Sequence, residues 1–304
     1  MKSRIKNKLI DLADKHGGRM EFSRPLNYYS TISIGGPASV WYEISSAEEA
    51  RQISRLSRDE GVRTLVIGRG SNLLLPDAGV NGIAVKLGGD FFSDIEFEGN
   101  TVTAGSGANL SRLISFCCRR GLSGLEGLVG IPASIGGALR MNASYKSAIS
   151  DRLVRVRVLD EEGKDRWIDK REILFGYRKS SLDGKLIMQA VFHLATADFP
   201  DLKRRLRDNF TDKILKQPLE KKTLGCVFKN PDKSEYTSGK LIDMAGLKGL
   251  RRGSAEVSEK HANFIVNTGG AGSGDVIGLI NTVRETVKNR FSVDLETEIE
   301  IVDA

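Results

Sequence analysis

Long hydrophobic runs and cysteine are scarce in this sequence. No apolar run approaches the roughly 20 residues that a membrane-spanning helix needs. Three cysteines in 304 residues argue against a disulfide framework. Cys117 and Cys118 are adjacent, which is poor geometry for a mutual bridge, and their apolar helical pattern predicts core positions. The charged segment 1–6 has no apolar core or cleavage site, so we predict a cytoplasmic protein without a signal peptide.

Histidine and the common metal and nucleotide motifs are also scarce. The chain has three histidines and no HExxH, CxxC or paired Cys/His spacing, so we expect no metal site. His16 ends a predicted helix, and His193 lies in an apolar strand pattern that predicts a core residue. There is no G-x-x-x-x-G-K-[ST] loop, and no G-x-G-x-x-G follows the first strand. Any nucleotide cofactor is therefore held by neither a P-loop nor the usual Rossmann turn.

Aromatic residues make up only 7% of the chain, while the net charge is +7. A basic balance favours anionic partners. Lysines and arginines form no long block and do not interleave with aromatic residues, so a stacking surface for nucleic acid has little support. Most of these charges are expected on solvated faces. A basic nucleic-acid-binding protein remains the non-enzymatic alternative, and we expect neither nucleic acid as a partner nor insertion into a membrane.

Hydrophobic periodicity predicts an α+β protein with three regions, at 1–90, 91–200 and 201–304. In the first region a capping box, Ser46 to Glu49, opens a helix between strands, which indicates a β-α-β arrangement. The second region contains hairpin signals centred on Gly99 and Gly163. The predicted elements of these regions are helices 3–15, 47–59 and 110–120 and strands 38–44, 63–67, 82–87, 94–97, 101–104, 154–159, 166–169 and 186–194.

The third region begins with a charged helix, 201–216. A long helix over 275–291 follows later, and Ser273 is its predicted N-cap. The other predicted elements are a helix at 239–245, a strand at 262–267 and a final strand at 295–302.

Four glycine-dense turns follow short strands in the first half of the chain. Glycine lets backbone N–H groups approach a phosphate closely, and nearby serine and asparagine side chains add donors. Any single turn is ordinary, but four together favour a cradle for a diphosphate. The turns are Gly35-Gly36-Pro37, Gly68-Arg69-Gly70-Ser71-Asn72, Gly105-Ser106-Gly107 and Gly130-Ile131-Pro132-Ala133-Ser134-Ile135-Gly136-Gly137.

Eight short motifs in one order carry a resemblance over residues 22–302. Each motif is weak alone, but the order and spacing together resemble the UDP-N-acetylenolpyruvoylglucosamine reductase (MurB) family, in its shorter subtype without the inserted substrate-capping loop. The motifs are Ile34-Gly35-Gly36-Pro37-Ala38; Gly68 to Leu73; Gly124 to Leu128 with Gly130-Ile131-Pro132; Met141-Asn142-Ala143; Tyr177-Arg178-Lys179-Ser180; Gly225-Cys226-Val227-Phe228-Lys229-Asn230-Pro231; Val257 to Phe264; and Leu295-Glu296-Thr297-Glu298.

The resemblance implies a fold, a cofactor and a reaction. It implies a two-subdomain FAD-binding fold of the vanillyl-alcohol-oxidase type plus a C-terminal α+β substrate-binding domain, whose last strand returns Glu298 to the flavin. FAD is bound non-covalently and reduced by NADPH; hydride then passes to C3 of an enolpyruvyl group and a proton to C2, a step of peptidoglycan synthesis. We expect a monomer. The residues expected to bind FAD are Gly68, Arg69, Gly70, Ser71, Asn72, Gly130, Ile131, Pro132, Ser134, Gly136 and Gly137.

Three residues match catalytic positions of the family. Arg178 matches its catalytic arginine, and a guanidinium suits a carboxylate or enolate; without the family it would be a surface arginine. Glu298 matches the C-terminal glutamate, although alternation alone puts Glu296, Glu298 and Glu300 on one face and selects none of them. Cys226 stands where most relatives have a serine that protonates C2. A thiol keeps a donor proton at this position, because its ordinary pKa is about 8.5. The structural alternative is that Cys226 is simply a small buried residue without a catalytic role.

Other positions match substrate contacts or depart from the pattern. The resemblance assigns Tyr177, Lys229, Asn230 and His261 to the UDP-sugar site. Asn142-Ala143-Ser144-Tyr145-Lys146 stands where relatives usually have Asn-Ala-Gly-Ala, which changes the expected loop shape near the flavin. A second enzymatic alternative is another flavin oxidoreductase of the same superfamily with a different substrate.

Overall fold

The computed structural model describes residues 3–232 and 234–304 and has a mixed α+β architecture. Within those residues the helices are α1 (Ser3–His16), α2 (Ala47–Glu60), α3 (Gly89–Ser93), α4 (Leu110–Arg119), α5 (Ile135–Arg140), α6 (Phe199–Lys216), α7 (Ser238–Met244) and α8 (Ser273–Phe291). The strands are β1 (Arg19–Pro25), β2 (Pro37–Ile44), β3 (Thr64–Val66), β4 (Leu73–Leu74), β5 (Val80–Leu87), β6 (Ile95–Glu98), β7 (Thr101–Gly105), β8 (Leu122–Ser123), β9 (Leu153–Leu159), β10 (Asp165–Asp169), β11 (Phe175–Gly176), β12 (Lys179–Ser180), β13 (Leu186–His193), β14 (Ala195–Thr196), β15 (Thr223–Cys226), β16 (Arg251–Arg252), β17 (Ala255–Val257), β18 (Phe264–Asn267) and β19 (Glu300–Ile301).

The chain divides into two compact units. The first comprises Met1–Phe22, Ser39–Arg69 and Gly82–Asp212, and the second comprises Ser23–Ala38, Gly70–Asn81 and Lys213–Ala304. The division of the chain into three regions at 90/91 and 200/201 stays a prediction.

The first sheet has the strand order β1-β2-β5-β3, with β3 parallel to β5. Helix α2 begins where Ser46 accepts a hydrogen bond from the Glu49 N–H. The predicted capping box is only half formed, because the fully buried Glu49 carboxylate turns instead to the Ser45 N–H and the Tyr42 hydroxyl, each at 2.7 Å. This inward turn satisfies a buried tyrosine hydroxyl that would otherwise lack a partner.

The second sheet of the first unit has the order β10-β9-β13-β7-β6 and is antiparallel throughout. Both predicted hairpins, β6–β7 and β9–β10, are present. Helix α4 packs Cys117 into the adjoining core, where it is 2% exposed, and Cys118 is also buried, as predicted. The prediction for His193 is wrong: it is the last residue of β13 and is exposed, because alternation turns its side chain away from the core that its neighbours Phe192 and Leu194 enter.

The second unit is built on the sheet β15-β18-β17-β16 and helices α7 and α8. Helix α8 begins at Ser273 with Gly272 as N-cap, so the prediction of Ser273 as the cap is wrong by one residue. The Asp275 carboxylate accepts a hydrogen bond from the Gly272 N–H at 3.1 Å, which satisfies one of the backbone donors at the start of the helix.

The predicted final strand, 295–302, is shorter in the structure. Only Glu300–Ile301 form a strand, β19, which pairs in parallel with β4, while Thr297 makes an isolated bridge to Phe228. Ile299 and Val302 are both buried, a three-residue spacing that breaks strict alternation. The chain changes pairing partner between residues 297 and 300, which ends a continuous ladder.

Membrane-spanning helices and metal clusters are both absent from residues 3–232 and 234–304. None of the helices there combines the length and the apolar character needed to cross a bilayer. In the same residues no group of three or more His, Cys, Asp or Glu side chains is placed to hold a metal ion.

Candidate active site

The loop Gly68–Asn72 connects β3 to β4. Gly70 has φ +59°, and a Cβ on it would lie 1.9 Å from the Tyr29 carbonyl oxygen, so only glycine fits. The N–H groups of Arg69, Gly70 and Ser71 donate no hydrogen bond to any described residue. A rigid turn with successive available N–H groups is an anion-binding concavity. These residues fit one side of the predicted FAD diphosphate site.

We expect Gly70→Ala to weaken FAD binding by about tenfold or more, because the loop must move away from Tyr29 and misplace its N–H donors. The matched control is Gly99→Ala, in the β6–β7 turn. Gly99 has φ +56°, but a Cβ there meets nothing within 4 Å, so only backbone strain of about 1–2 kcal/mol applies. FAD titration followed by fluorescence, with thermal unfolding of both variants, measures the difference. Equal FAD affinity of the two variants would contradict this role of the loop.

The turn at residues 130–137 offers few free N–H donors, because several of its N–H groups are already hydrogen-bonded within the protein. Ser134 caps α5 by accepting the Gly137 N–H at 3.3 Å, and the Gly136 N–H donates to the Ser106 carbonyl at 2.8 Å. A Cβ on Gly68 would lie 2.4 Å from Ser134 Oγ, so this turn and the Gly68 backbone are in close approach within the first unit. Ile131 and Gly136 therefore offer a bound group no N–H, and Pro132 has none.

Ser106 adds a polar group beside this turn. It is 1% exposed, and its Oγ has no hydrogen-bond partner among the described residues. A buried hydroxyl without a partner is destabilising unless a bound group satisfies it. Gly136 packs against it, since a Cβ there would lie 3.1 Å from the Ser106 Cβ. Ser106 belongs to a predicted glycine turn but was not predicted as a cofactor contact.

The turn at Gly35-Gly36 has a structural role. A Cβ on Gly36 would lie 2.0 Å from the Asp77 carbonyl oxygen, and the Gly36 N–H donates to the Pro76 carbonyl at 2.9 Å. Its donor is occupied by the protein, so this turn does not extend the phosphate cradle.

Arg178 lies in the two-residue turn between β11 and β12, in the first unit. Its φ is +55°, an uncommon conformation for a residue with a side chain, and such conformations cluster at functional sites. Its guanidinium Nη1 donates to Ser144 Oγ at 2.6 Å, and the group lies 5.2 Å from the centre of the Tyr177 ring. Arg178 is half-buried while Tyr177 is exposed.

Cys226 ends β15 in the second unit and is half-buried. The chain after it is fixed by Asn263, a 3% exposed residue that lies within a quoted motif but was not predicted to have a role of its own. Its side chain accepts from the Phe228 N–H at 2.9 Å and donates to the Phe228 carbonyl at 2.8 Å, and its carbonyl accepts the Val227 N–H. The sequence did offer one signal for this role, since Asn263 is a polar residue between the apolar Ala262 and Phe264.

Glu298 lies beside this segment in the same unit. Its N–H donates to the Val227 carbonyl at 2.8 Å, and its carbonyl accepts from Asn72 Nδ2 at 3.2 Å. Glu298 is half-buried, whereas Glu296 and Glu300 are exposed. The structure therefore separates three glutamates that the sequence pattern left equivalent.

The other predicted substrate residues also lie in the second unit, except Tyr177. Lys229 forms an ion pair with Glu296, and Asn230 Oδ1 accepts the Ser238 N–H at 3.1 Å. His261 Nδ1 accepts the Asn263 N–H at 3.2 Å, which leaves the proton on Nε2. Burial lowers the pKa of His261, so its imidazole is neutral near pH 7.

Comparison with known proteins agrees with these features. Residues 38–169 match a family model described as FAD binding domain, and residues 217–302 match one described as UDP-N-acetylenolpyruvoylglucosamine reductase, C-terminal domain. A UDP-N-acetylenolpyruvoylglucosamine reductase of Bacillus cereus is 38% identical over 96% of this chain and 97% of its own length. One of Halalkalibacterium halodurans is 39% identical over 94% of this chain and 95% of its own length.

A solved structure agrees as well. The MurB reductase of Thermus caldophilus is 36% identical, with a TM-score of 0.83, over 94% of this chain and all of that one. The predicted α+β FAD-binding fold, the FAD cofactor and the oxidoreductase class are confirmed. The chain belongs to the UDP-N-acetylenolpyruvoylglucosamine reductase family.

Proposed function

We propose that this protein reduces UDP-N-acetylglucosamine enolpyruvate to UDP-N-acetylmuramate, with NADPH as reductant, in peptidoglycan synthesis. The observation that carries the proposal is the hydrogen bond from the Glu298 N–H to the Val227 carbonyl. This bond places the segment that carries the Glu298 carboxyl group beside the segment that carries the Cys226 thiol. The relatives of this chain are named UDP-N-acetylenolpyruvoylglucosamine reductases. The cytoplasmic location and the monomeric state remain predictions.

FAD, when bound, would supply the hydride chemistry that couples oxidation of NADPH to reduction of the enolpyruvyl group at C3. The N–H groups of Arg69, Gly70 and Ser71 would act as donors to its diphosphate. In the first unit, the buried Ser106 Oγ would offer a hydroxyl to a bound group. Side chains at Gly68 and Gly136 are excluded, because a Cβ on either would press on Ser134 Oγ or the Ser106 Cβ.

Cys226 donates the proton that completes the reduction. Hydride at C3 leaves negative charge on C2 and the adjoining carboxylate, and transfer of the thiol proton to C2 gives the saturated product with a thiolate left behind. A thiol is mostly protonated near neutral pH, and solvent reprotonates it before the next turnover. Asn263 holds the backbone after Cys226, which limits movement of the segment that carries the thiol.

Arg178 and Glu298 stabilise the developing charge. The Arg178 guanidinium offers a positive, planar set of donors to the carboxylate of the enolate. Glu298, protonated in the presence of substrate, donates a hydrogen bond to the same charge. Tyr177, Lys229, Asn230 and His261 bind the UDP-sugar, and Lys229 exchanges its ion pair with Glu296 for a phosphate oxygen.

A purified-protein spectrum tests the proposal. We expect a yellow protein whose flavin absorbance is bleached by NADPH and restored anaerobically by UDP-N-acetylglucosamine enolpyruvate, with a product heavier by two hydrogen atoms in mass spectrometry. Bleaching without restoration would favour a flavin oxidoreductase with another substrate. A colourless protein whose affinity for DNA falls steeply with salt would overturn the enzymatic proposal altogether.

A further inference from the structure

Two segments of the first unit, residues 140–144 and 176–180, are joined by hydrogen bonds from the side chains of Ser180, Asn142 and Arg178. Ser180 Oγ donates to the Arg140 carbonyl at 2.9 Å, and Asn142 Nδ2 donates to the Gly176 carbonyl at 3.1 Å. The third bond runs from Arg178 to Ser144. The first two bonds fix the backbone on either side of Arg178, and the third reaches its charged group.

The Arg178 guanidinium needs such a contact to have one position. An arginine side chain has several rotatable bonds, and ordering it is unfavourable unless contacts hold it. Ser144 provides two acceptors for a single nitrogen, because Arg178 Nη1 lies 2.6 Å from Ser144 Oγ and 3.3 Å from the Ser144 carbonyl oxygen. Two acceptors on Nη1 and a tyrosine ring 5.2 Å away set the plane of the guanidinium.

Ser144 is itself held by the loop that follows it. An isolated antiparallel bridge joins Ser144 to Ala148, and the Lys146 N–H donates to the Gly127 carbonyl at 3.2 Å. The side chains of Tyr145 and Lys146 both attach to Asp212, since Tyr145 Oη donates to Asp212 Oδ2 at 2.8 Å and Lys146 Nζ pairs with that oxygen at 3.2 Å. The acceptor therefore stands on an anchored loop.

We infer that Ser144 is a positioning residue, whose hydroxyl orients the Arg178 guanidinium for charge stabilisation. The inference rests on the proposed function, since it takes Arg178 to act on the enolate. Ser144 stands where the family pattern has glycine, which has no side-chain acceptor. The hydroxyl is thus a feature of this chain that lies outside the catalytic positions matched to the family.

The test compares single-turnover rates of the FAD-containing enzyme in both half-reactions. We expect Ser144→Ala to slow flavin reoxidation by UDP-N-acetylglucosamine enolpyruvate by about tenfold, because one hydrogen bond to a charged group is lost. The rate of flavin reduction by NADPH should change less than about twofold, since that half-reaction forms no enolate and does not need the arginine. Ser144→Thr keeps the hydroxyl and should restore the rate.

Ser147→Ala is the matched control in the same loop. The Ser147 Oγ makes no hydrogen bond to Arg178 or Ser144, so its removal should leave their contact intact and both half-reactions unchanged. In an Arg178→Ala background, Ser144→Ala should have no further effect, because its hydroxyl would have no guanidinium to orient. Thermal unfolding of each variant separates loss of positioning from loss of fold.

The outcomes distinguish the inference from the function on which it rests. A wild-type enzyme that is reoxidised by the substrate while Ser144→Ala reacts at the same rate would overturn the inference alone. An equal loss in the Arg178→Ala background would also overturn it, since the effect would not pass through the arginine. A wild-type enzyme that the substrate does not reoxidise would overturn the proposed function, and the inference with it.

Discussion

Replacing Cys226 with alanine is expected to slow flavin reoxidation by the enolpyruvyl substrate by about 10²–10⁴-fold, the usual contribution of a positioned general acid. Cys226→Ser should remain active, because a hydroxyl keeps a donor proton on the same β-carbon. The alcohol is the weaker acid, so its rate should fall below that of the thiol if proton transfer limits the step. Anaerobic stopped-flow absorbance of the reduced enzyme measures all three rates.

We expect Cys226→Ala to change the stability and backbone structure of the protein only slightly. The residue is only half-buried, and Asn263 holds the following segment through bonds to Val227 and Phe228. None of those bonds uses the sulfur. FAD content, the rate of reduction by NADPH and the thermal midpoint should therefore stay close to wild type.

Cys118→Ala is the control for removal of a thiol. Cys118 is buried in the first unit, and burial raises its pKa, so it has no acidic role there. This variant should lower stability slightly and leave reoxidation unchanged. Full reoxidation activity in Cys226→Ala would remove Cys226 from the reaction and require another proton donor.

The sequence predicted regular elements well wherever local signals agreed with packing. Helix α2 begins after Ser46, and both hairpins form around their glycines, because capping and turn geometry are decided within a few residues. His193 was misplaced because an apolar run does not show which residues of a strand face solvent, and the flanking Phe192 and Leu194 take the core face. The last strand was overextended because its pairing partners, Phe228 and β4, are distant in sequence.

The candidate site was predictable in its glycines and much less so in its supporting side chains. Gly70 carries a visible signal, since a left-handed turn after a strand needs glycine. The bonds from Arg178 to Ser144 and from Asn263 to Phe228 span 34 and 35 residues, so no local pattern specifies them. The exposure that separates Glu298 from Glu296 also depends on such non-local pairing.

Glu298→Gln is expected to slow flavin reoxidation by about 10²-fold, the lower end of the cost of removing a preorganised donor to a developing oxyanion, because a weaker amide N–H takes the place of the acidic O–H. Glutamine retains the shape and an N–H donor, so the loss measures the acidic hydrogen bond rather than packing. The backbone bonds of Glu298 to Val227 and Asn72 do not involve the carboxyl group and should keep the segment in place. The same anaerobic stopped-flow assay, with product analysis, measures the effect.

Glu300→Gln is the matched control, because Glu300 is an exposed residue two positions along the same segment, in β19. A general effect of removing negative charge would slow both variants alike, and salt would screen it. A specific role predicts that Glu300→Gln reacts at the wild-type rate while Glu298→Gln does not, at both low and high ionic strength. Equal rates in the two variants would show that Glu298 has no special role among the three glutamates. Arg178 would then stabilise the enolate without a carboxyl partner.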